Sequence, residues 1–180
     1  MVTRMHRFVP LVLVLSALSS TWAASTDDRQ PAVWKSQELV LTYTGFTSRY
    51  SCEGLLDKVT EALALLGARS DMSVRPVSCS GMGKPQRIPG VRIKVSTLVP
   101  APEGGEGTVE ARWKTVRLSG PGRLTRGDCE LAEQIQGEIL PLFTTRNVKV
   151  QMDCIPHQEP VGDIALTVDV LIPADEEVAR

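Results

Sequence analysis

Residues 50–79 of the chain, YSCEGLLDKVTEALALLGARSDMSVRPVSC, have the pattern of a helix followed by a strand, with a cysteine near each end. A second stretch with the same order, residues 128–154, is DCELAEQIQGEILPLFTTRNVKVQMDC. In both stretches apolar residues recur at offsets of one, three and four, which places them on one face of a helix. The chain is therefore expected to consist of two similar halves.

Alternating strands flank the first helix. Residues 38–44 (ELVLTYT) and residues 91–99 (VRIKVSTLV) both alternate in the way that a half-buried strand requires. A further strand is expected at residues 72–79, where the apolar phase shifts across Pro76. Because proline cannot donate a ladder hydrogen bond, this strand is expected at a sheet edge or at a bulge.

The second half repeats this order of elements after a Gly- and Pro-rich stretch at residues 100–108. The patterns predict a strand at 109–118, a helix at 129–140 and two further strands at 148–154 and 164–172.

Four residues are expected to set the helix ends. Ser51 and Asp128 stand where N-caps are needed, since their side chains accept hydrogen bonds from free backbone N–H groups. Gly67 is suited to end the first helix. Pro141 should end or kink the second helix.

The spacing of cysteines and prolines supports a tandem repeat. The cysteines are 27 residues apart in the first half and 25 in the second, and the strand endings VSTLVP and VDVLIP resemble each other. Chance similarity among alternating strands is the alternative, but the matched positions favour an internal duplication.

The predicted fold is α+β, a two-layer sandwich built from two tandem βαββ repeats. The halves are residues 38–100 and 109–173, and an antiparallel or mixed sheet carries both helices on its apolar face. The other face is expected to be open and polar. It carries Arg92, Lys94, Lys149, Gln151, Thr167 and Asp169.

The N-terminus has the three-part pattern of a secretory signal peptide. Arg4 and Arg7 precede an apolar run at residues 8–18, and small residues lead to Ala23, after which cleavage is expected. The run is too short to span a bilayer, which takes about 20 residues. The sequence therefore predicts an exported, soluble protein, periplasmic or extracellular.

The remaining boundaries follow from composition. Residues 1–23 are the predicted signal peptide, residues 24–37 a flexible leader, residues 38–173 a single domain and residues 174–180 a tail. Without the signal peptide, the 20 Lys and Arg fall by two while the 21 Asp and Glu stay, so the net charge is −3. No block of Lys and Arg is present, which argues against nucleic acid as a partner.

The four cysteines are expected to form disulfides, since an even count fits an oxidising compartment. Two strands joined by a crossover helix run parallel, so the helix begins where the second strand ends. This geometry predicts the pairs Cys52–Cys79 and Cys129–Cys154. Neither pair has zinc-ligand spacing.

Motifs for catalysis or cofactor binding are weak. Residues 78–84 (SCSGMGK) fail the phosphate-loop pattern, because serine replaces its first glycine and proline follows the lysine. His157 would have to serve any Ser/His/Asp triad, but it stands in a Pro-rich loop without a nucleophile motif. The acids around it, Asp153, Glu159 and Asp163, match no metal-ligand spacing. No catalytic residue, metal site or cofactor is predicted.

One surface is selected by geometry. Both helix N-termini and both disulfides are expected at one edge of the sheet, where free N–H groups and basic side chains attract anions. We call this surface the disulfide edge. Its basic residues are Arg49, Lys84, Arg87, Arg123 and Arg126. The open sheet face is the rival surface, and a mixed-charge loop surface without a ligand is the plainer interpretation.

The expected function is that of an exported, disulfide-stabilised binding or interaction module without chemistry of its own. Its partner would be an unknown protein or a small anionic ligand. The alternatives are a hydrolase that uses His157 with a nearby carboxylate, and a thiol- or metal-handling protein that uses the cysteines. The scarcity of histidine and the missing nucleophile motif argue against the hydrolase.

Overall fold

The structure is a computed structural model. It describes residues 28–79, 81, 83–101, 104–121, 123–158 and 160–175. The predicted signal peptide (residues 1–23), the first four residues of the predicted leader and most of the predicted tail lie outside these ranges.

The described chain contains six strands and two helices, the second of which is irregular. The strands are β1 (Arg29–Thr42), β2 (Ser73–Val77), β3 (Gly90–Pro100), β4 (Val109–Arg117), β5 (Thr145–Gln151) and β6 (Ala165–Pro173). The helices are α1 (Cys52–Leu65) and α2 (Cys129–Gln134).

All six strands form one antiparallel sheet in the order β2-β3-β1-β4-β6-β5. The fold is therefore α+β, with two helices and two disulfides, and the antiparallel alternative of the predicted sheet is the one observed. Within each half the third strand lies between the other two, as β2-β3-β1 and β5-β6-β4. The predicted edge position of β2, with its Pro76, is confirmed.

The prediction of a flexible leader at residues 24–37 is wrong from Arg29 onward. The strand β1 begins at Arg29 rather than at Glu38. Residues 32–42 pair with β3, and residues 29–32 pair with β4. The segment lacks apolar alternation, so its backbone pairing on both sides leaves little trace in the sequence. Its buried Ala32 packs in a small cluster with Leu98, Ala111 and Leu171.

The ends of α1 are as predicted, and the start of α2 is not. Ser51 Oγ accepts a hydrogen bond from the Gly54 N–H at 3.0 Å, and Gly67 follows the helix with φ of 78°. Asp128 does not cap α2. It closes a 3-10 turn, Arg126–Asp128, in which its carboxylate accepts from the backbone N–H of Thr125 at 2.8 Å.

The second helix is shorter and less regular than the predicted 129–140. Its six α-helical residues continue into a π-helical turn at Ile135–Ile139 and then a 3-10 turn at Leu140–Leu142. Pro141 lies in that last turn, so it ends the helical segment as predicted.

Both halves contribute to one hydrophobic core. Leu55, Val59 and Leu63 of α1 are fully buried, and so are Leu131 and Ile135 of the second helical segment. They belong to the same cluster as the inward-facing residues of β3 and β6, which are Val91, Ile93, Val95, Leu166, Val168, Val170 and Ile172. The predicted apolar stripes of the helices and strands thus meet in the interior.

The sheet is not flat, as the positions of the two helix starts show. Because β1 and β4 are antiparallel, a flat sheet would place the starts of α1 and α2 at opposite ends. Instead these starts are hydrogen-bonded to each other, for example through Tyr50 and Asp128. Curvature, rather than a shared strand direction, brings the two disulfide-bearing regions together.

No helix among the described residues is long and apolar enough to cross a membrane.

Candidate functional site

Both disulfides, Cys52–Cys79 and Cys129–Cys154, are present in the structure, with Cα–Cα distances of 6.1 and 5.7 Å. Each joins the start of a helix to the residues that follow the next strand, as the crossover geometry requires. None of the four cysteines is free. The structure therefore offers no thiol for redox chemistry or metal binding.

Asp128 is the centre of a polar network that joins the halves. Its carboxylate accepts hydrogen bonds from Tyr50 Oη and, at 3.1 Å, from Lys58 Nζ, both of which belong to the first half. Thr125 Oγ1 donates a further bond at 2.9 Å. Lys58 Nζ also donates to the Arg123 carbonyl at 2.7 Å. Asp128 is 6% exposed, so it contributes little charge to the surface.

The network changes the acidity of its members. Burial raises the pKa of Asp128, but the hydrogen bonds from Tyr50, Thr125 and Lys58 outweigh burial and hold this pKa below its usual 3.8. Burial, followed by the bond to Asp128, raises the pKa of Tyr50 far above its usual value. Asp128 is therefore ionised and Tyr50 is protonated at neutral pH.

Glu130 anchors the loop that follows β1. Its Oε2 accepts from the backbone N–H groups of Phe46 and Thr47, each at 2.8 Å, and from Tyr43 Oη at 3.3 Å. A Cβ on Gly45 would lie 1.9 Å from Tyr43 Oη and 2.6 Å from Glu130 Oε2, so only glycine fits there. The second half thus fixes the shape of a first-half loop.

A cavity of about 380 Å³ opens beside this loop. We call it the arginine cavity. It is lined among others by Tyr43, Phe46, Arg49, Arg87, Ile88 and His157. No Asp or Glu of the described residues lines it. Neither Arg49 nor Arg87 has a hydrogen bond or ion pair with the described part of the chain. Within the described part of the chain, the two arginines that line the cavity therefore have no acid partner.

The basic residues predicted at the disulfide edge do not form one group. Arg49 and Arg87 line the arginine cavity. Arg126 lines a second cavity of about 310 Å³, and the Arg123 guanidinium donates to the Arg117 carbonyl. Lys84 is exposed and lines neither cavity. Of the five predicted residues, the structure thus brings only Arg49 and Arg87 together in one cavity.

His157 lines the arginine cavity, and its ring lies 5.1 Å from the ring of Phe46. It has no hydrogen bond within the described chain that would prepare it for acid–base catalysis. Among the described residues, no group of three or more His, Cys, Asp or Glu could hold a metal ion. Glu159, one of the acids considered with His157, lies outside the described residues.

On the rival surface, most of the charged side chains are paired with each other. On the open sheet face, Glu38 pairs with Arg92 at 2.8 Å and with Lys94 at 3.6 Å. Asp169 accepts from Thr115 at 2.6 Å and from Asn147 at 2.8 Å. Two of the three cations that the sequence assigns to this face are therefore already paired with an acid.

Two roles were missed by reasoning from the sequence. The sequence predicts Asp128 as an N-cap and gives Glu130 no role, whereas both carboxylates bind groups of the first half. Phe46 and Ile88, which are 62% and 51% exposed, were not singled out. A bulky apolar residue in a Gly- and Pro-containing loop was the available signal, but single exposed apolar residues are common.

Compared with protein-family models, curated proteins and solved structures, the chain gives no match in any of the three.

Proposed function

We propose that the chain is a binding module that captures an anionic group in the arginine cavity. Arg49 and Arg87 would contact the anion, and Phe46 and Ile88 would contact the rest of the ligand. The protein provides a shaped, charged recess and performs no reaction on what it binds.

The observation that carries this proposal is the charge of the recess. Two arginines without an ion-pair partner among the described residues line a cavity that contains no described carboxylate. Guanidinium groups suit carboxylate and phosphate, because their N–H donors match the oxygen geometry of these anions. Mixed apolar and polar lining is typical of ligand sites.

The hydrogen bonds of the neighbouring acids, Asp128 and Glu130, support the same proposal. The Asp128 carboxylate is bound by Tyr50 and Lys58, and Glu130 Oε2 by two backbone N–H groups. Lys58 therefore balances the charge of Asp128, and neither carboxylate pairs with Arg49 or Arg87. This favours the disulfide edge over the open sheet face.

We further propose that the protein works outside the reducing cytoplasm, in the periplasm or the extracellular space. Its two disulfides support this, since disulfides persist in oxidising compartments. We also propose that the halves arose by duplication, as tandem βαββ repeats. The corresponding strand order and the corresponding disulfides support that origin.

The test is an NMR titration of the ¹⁵N-labelled protein with acetate and with inorganic phosphate. We expect saturable shifts of the backbone resonances of Phe46, Arg49 and Arg87. The double variant Arg49→Ser/Arg87→Ser should lose them. The matched control, Arg123→Ser/Arg126→Ser, removes the same charge outside the arginine cavity and should keep them.

Two results would contradict the proposal. One is a set of saturable shifts that survives the first double change and disappears with the second. The other is the absence of any saturable shift around the arginine cavity with either anion.

A further inference from the structure

We infer that the arginine cavity binds the C-terminus of a protein chain whose last residue is apolar, an inference that rests on the proposed function. Such a terminus carries a carboxylate and an apolar side chain on a single Cα. It thereby offers both kinds of group that the cavity contacts, within the space of one residue.

The lining of the cavity combines charge with large apolar side chains. Phe46 is 62% exposed and Ile88 is 51% exposed, and both line the same recess as Arg49 and Arg87. Covering Phe46 and Ile88 would remove a large apolar area from water, which favours a ligand with an apolar body. A phosphate or a small hydrophilic anion would leave these two side chains in water.

The size of the cavity fits a chain terminus. Its volume of about 380 Å³ is near the lower limit of ligand cavities, which span roughly 300 to 1,000 Å³. A terminal residue fills such a space while the preceding residues leave through its open side. An internal Asp or Glu would supply the carboxylate but would need a neighbouring residue for the apolar contact.

A third exposed apolar side chain stands close in sequence to the cavity, and a protein would cover it where a small acid would not. Ile155 is 52% exposed and belongs to the same short loop as His157. This loop is joined to the first half by a 3.4 Å hydrogen bond from Thr47 Oγ1 to the Gln158 carbonyl. Exposed apolar residues next to a charged recess are typical of a protein interaction surface.

The recess is also organised in advance. Glu130 holds the N–H groups of Phe46 and Thr47 at 2.8 Å each, so the loop that carries Phe46 is shaped without a ligand. A preorganised site loses less conformational entropy on binding than a flexible one. This is the property that a site for short chain termini requires, because their contact area is small.

The test is calorimetry with three hexapeptides that share the first five residues, Gly-Ser-Gly-Ser-Ala. One ends in phenylalanine with a free carboxylate, the second in phenylalanine amide and the third in serine with a free carboxylate. We expect the first to bind roughly tenfold more tightly than either of the others, since burying an aromatic side chain or pairing a carboxylate is worth a factor of this order. The change Phe46→Ser should reduce the preference for phenylalanine over serine.

The possible failures are distinguishable. If acetate binding depends on Arg49 and Arg87 but the three peptides bind equally, this inference is wrong and the proposed function stands. If N-acetylphenylalanine binds clearly more tightly than the phenylalanine peptide, the preceding residues hinder binding, and the ligand is a small apolar acid and not a chain terminus. If no acid binds, or if binding survives Arg49→Ser/Arg87→Ser, both proposals are wrong.

Discussion

Lys58 of the first half donates a hydrogen bond to Asp128 of the second half, with a distance of 3.1 Å from Nζ to Oδ2. The pair is partly shielded, since the side chains are 28% and 9% exposed. It connects α1 to the turn before α2, which lie far apart along the chain. The two halves are thus joined by a polar contact in addition to their shared core.

Asp128 should make the free energy of unfolding depend on pH in the acid range. Its pKa in the folded protein is below its usual value of 3.8, so the stability that it contributes is complete above about pH 4 and is lost as the pH falls through the folded pKa. At pH 7, Asp128→Asn should lower the free energy of unfolding by about 1 to 3 kcal/mol. Urea unfolding between pH 2 and pH 7 measures this. A constant difference between variant and parent over the whole range would contradict the assignment.

Gly45 should tolerate no side chain. The change Gly45→Ala would place a Cβ 1.9 Å from Tyr43 Oη, so the loop after β1 must move. We expect a loss of stability of about 1 to 3 kcal/mol, as for other overpacked sites, and weaker binding of acetate. The control is Gly137→Ala, whose Cβ would meet no atom within 4 Å. That change should leave stability the same or slightly increase it, because alanine favours helix. Equal effects of the two changes in thermal unfolding would refute the close contact.

Glu130 should act as a positioning residue for the cavity. Removing its carboxylate by Glu130→Ala leaves the N–H groups of Phe46 and Thr47 without their acceptor, so their hydrogen exchange should become faster. Glu130→Gln keeps one oxygen for these bonds and should restore most of the protection. Glu133, which is exposed on the same helix, serves as the control when it is changed to alanine. Unchanged exchange of both amides in Glu130→Ala would show that the carboxylate does not hold the loop.

The disulfides should contribute similar amounts to stability, because they close loops of similar length. The sequence separations are 27 and 25 residues, so the chain-entropy account gives about 3 kcal/mol for each bridge. Replacing both cysteines of one pair by serine and measuring denaturant unfolding tests each value. Peptide mapping without reduction should recover Cys52 with Cys79 and Cys129 with Cys154. Any bridge between the halves would be incompatible with the structure.

The helices and strands whose apolar residues recur with a clear period were predictable from the sequence. The stripe of α1 and the alternation of β3 are direct consequences of burial on one side, and both appear in the structure with small shifts of their ends. The first part of β1 was not predictable, because RQPAVWKSQ has no alternation and is ordered by backbone pairing with β3 and β4. The irregular course of the second helix was missed for a related reason, since its apolar stripe is the same for an α- and a π-helical turn.

The candidate site was only partly predictable. Local chemistry identified Arg49 and Arg87, but it gave no reason to separate them from Arg123 and Arg126. That separation depends on the curvature of the sheet and on contacts between residues about 80 positions apart, such as Tyr50 with Asp128. Such long-range contacts have no signature in a single sequence.

The position of a bound carboxylate shows whether Arg49 and Arg87 together hold an anion. Crystals of the protein soaked in 4-bromobenzoate, an aryl bromide that does not alkylate His157, would show the bromine by anomalous scattering. We expect a peak in the arginine cavity, with the carboxylate within hydrogen-bond distance of both guanidinium groups, and no peak there in Arg49→Ser/Arg87→Ser. An empty arginine cavity with the anion bound beside Arg126 or on the open sheet face would show that these two arginines do not form the anion site.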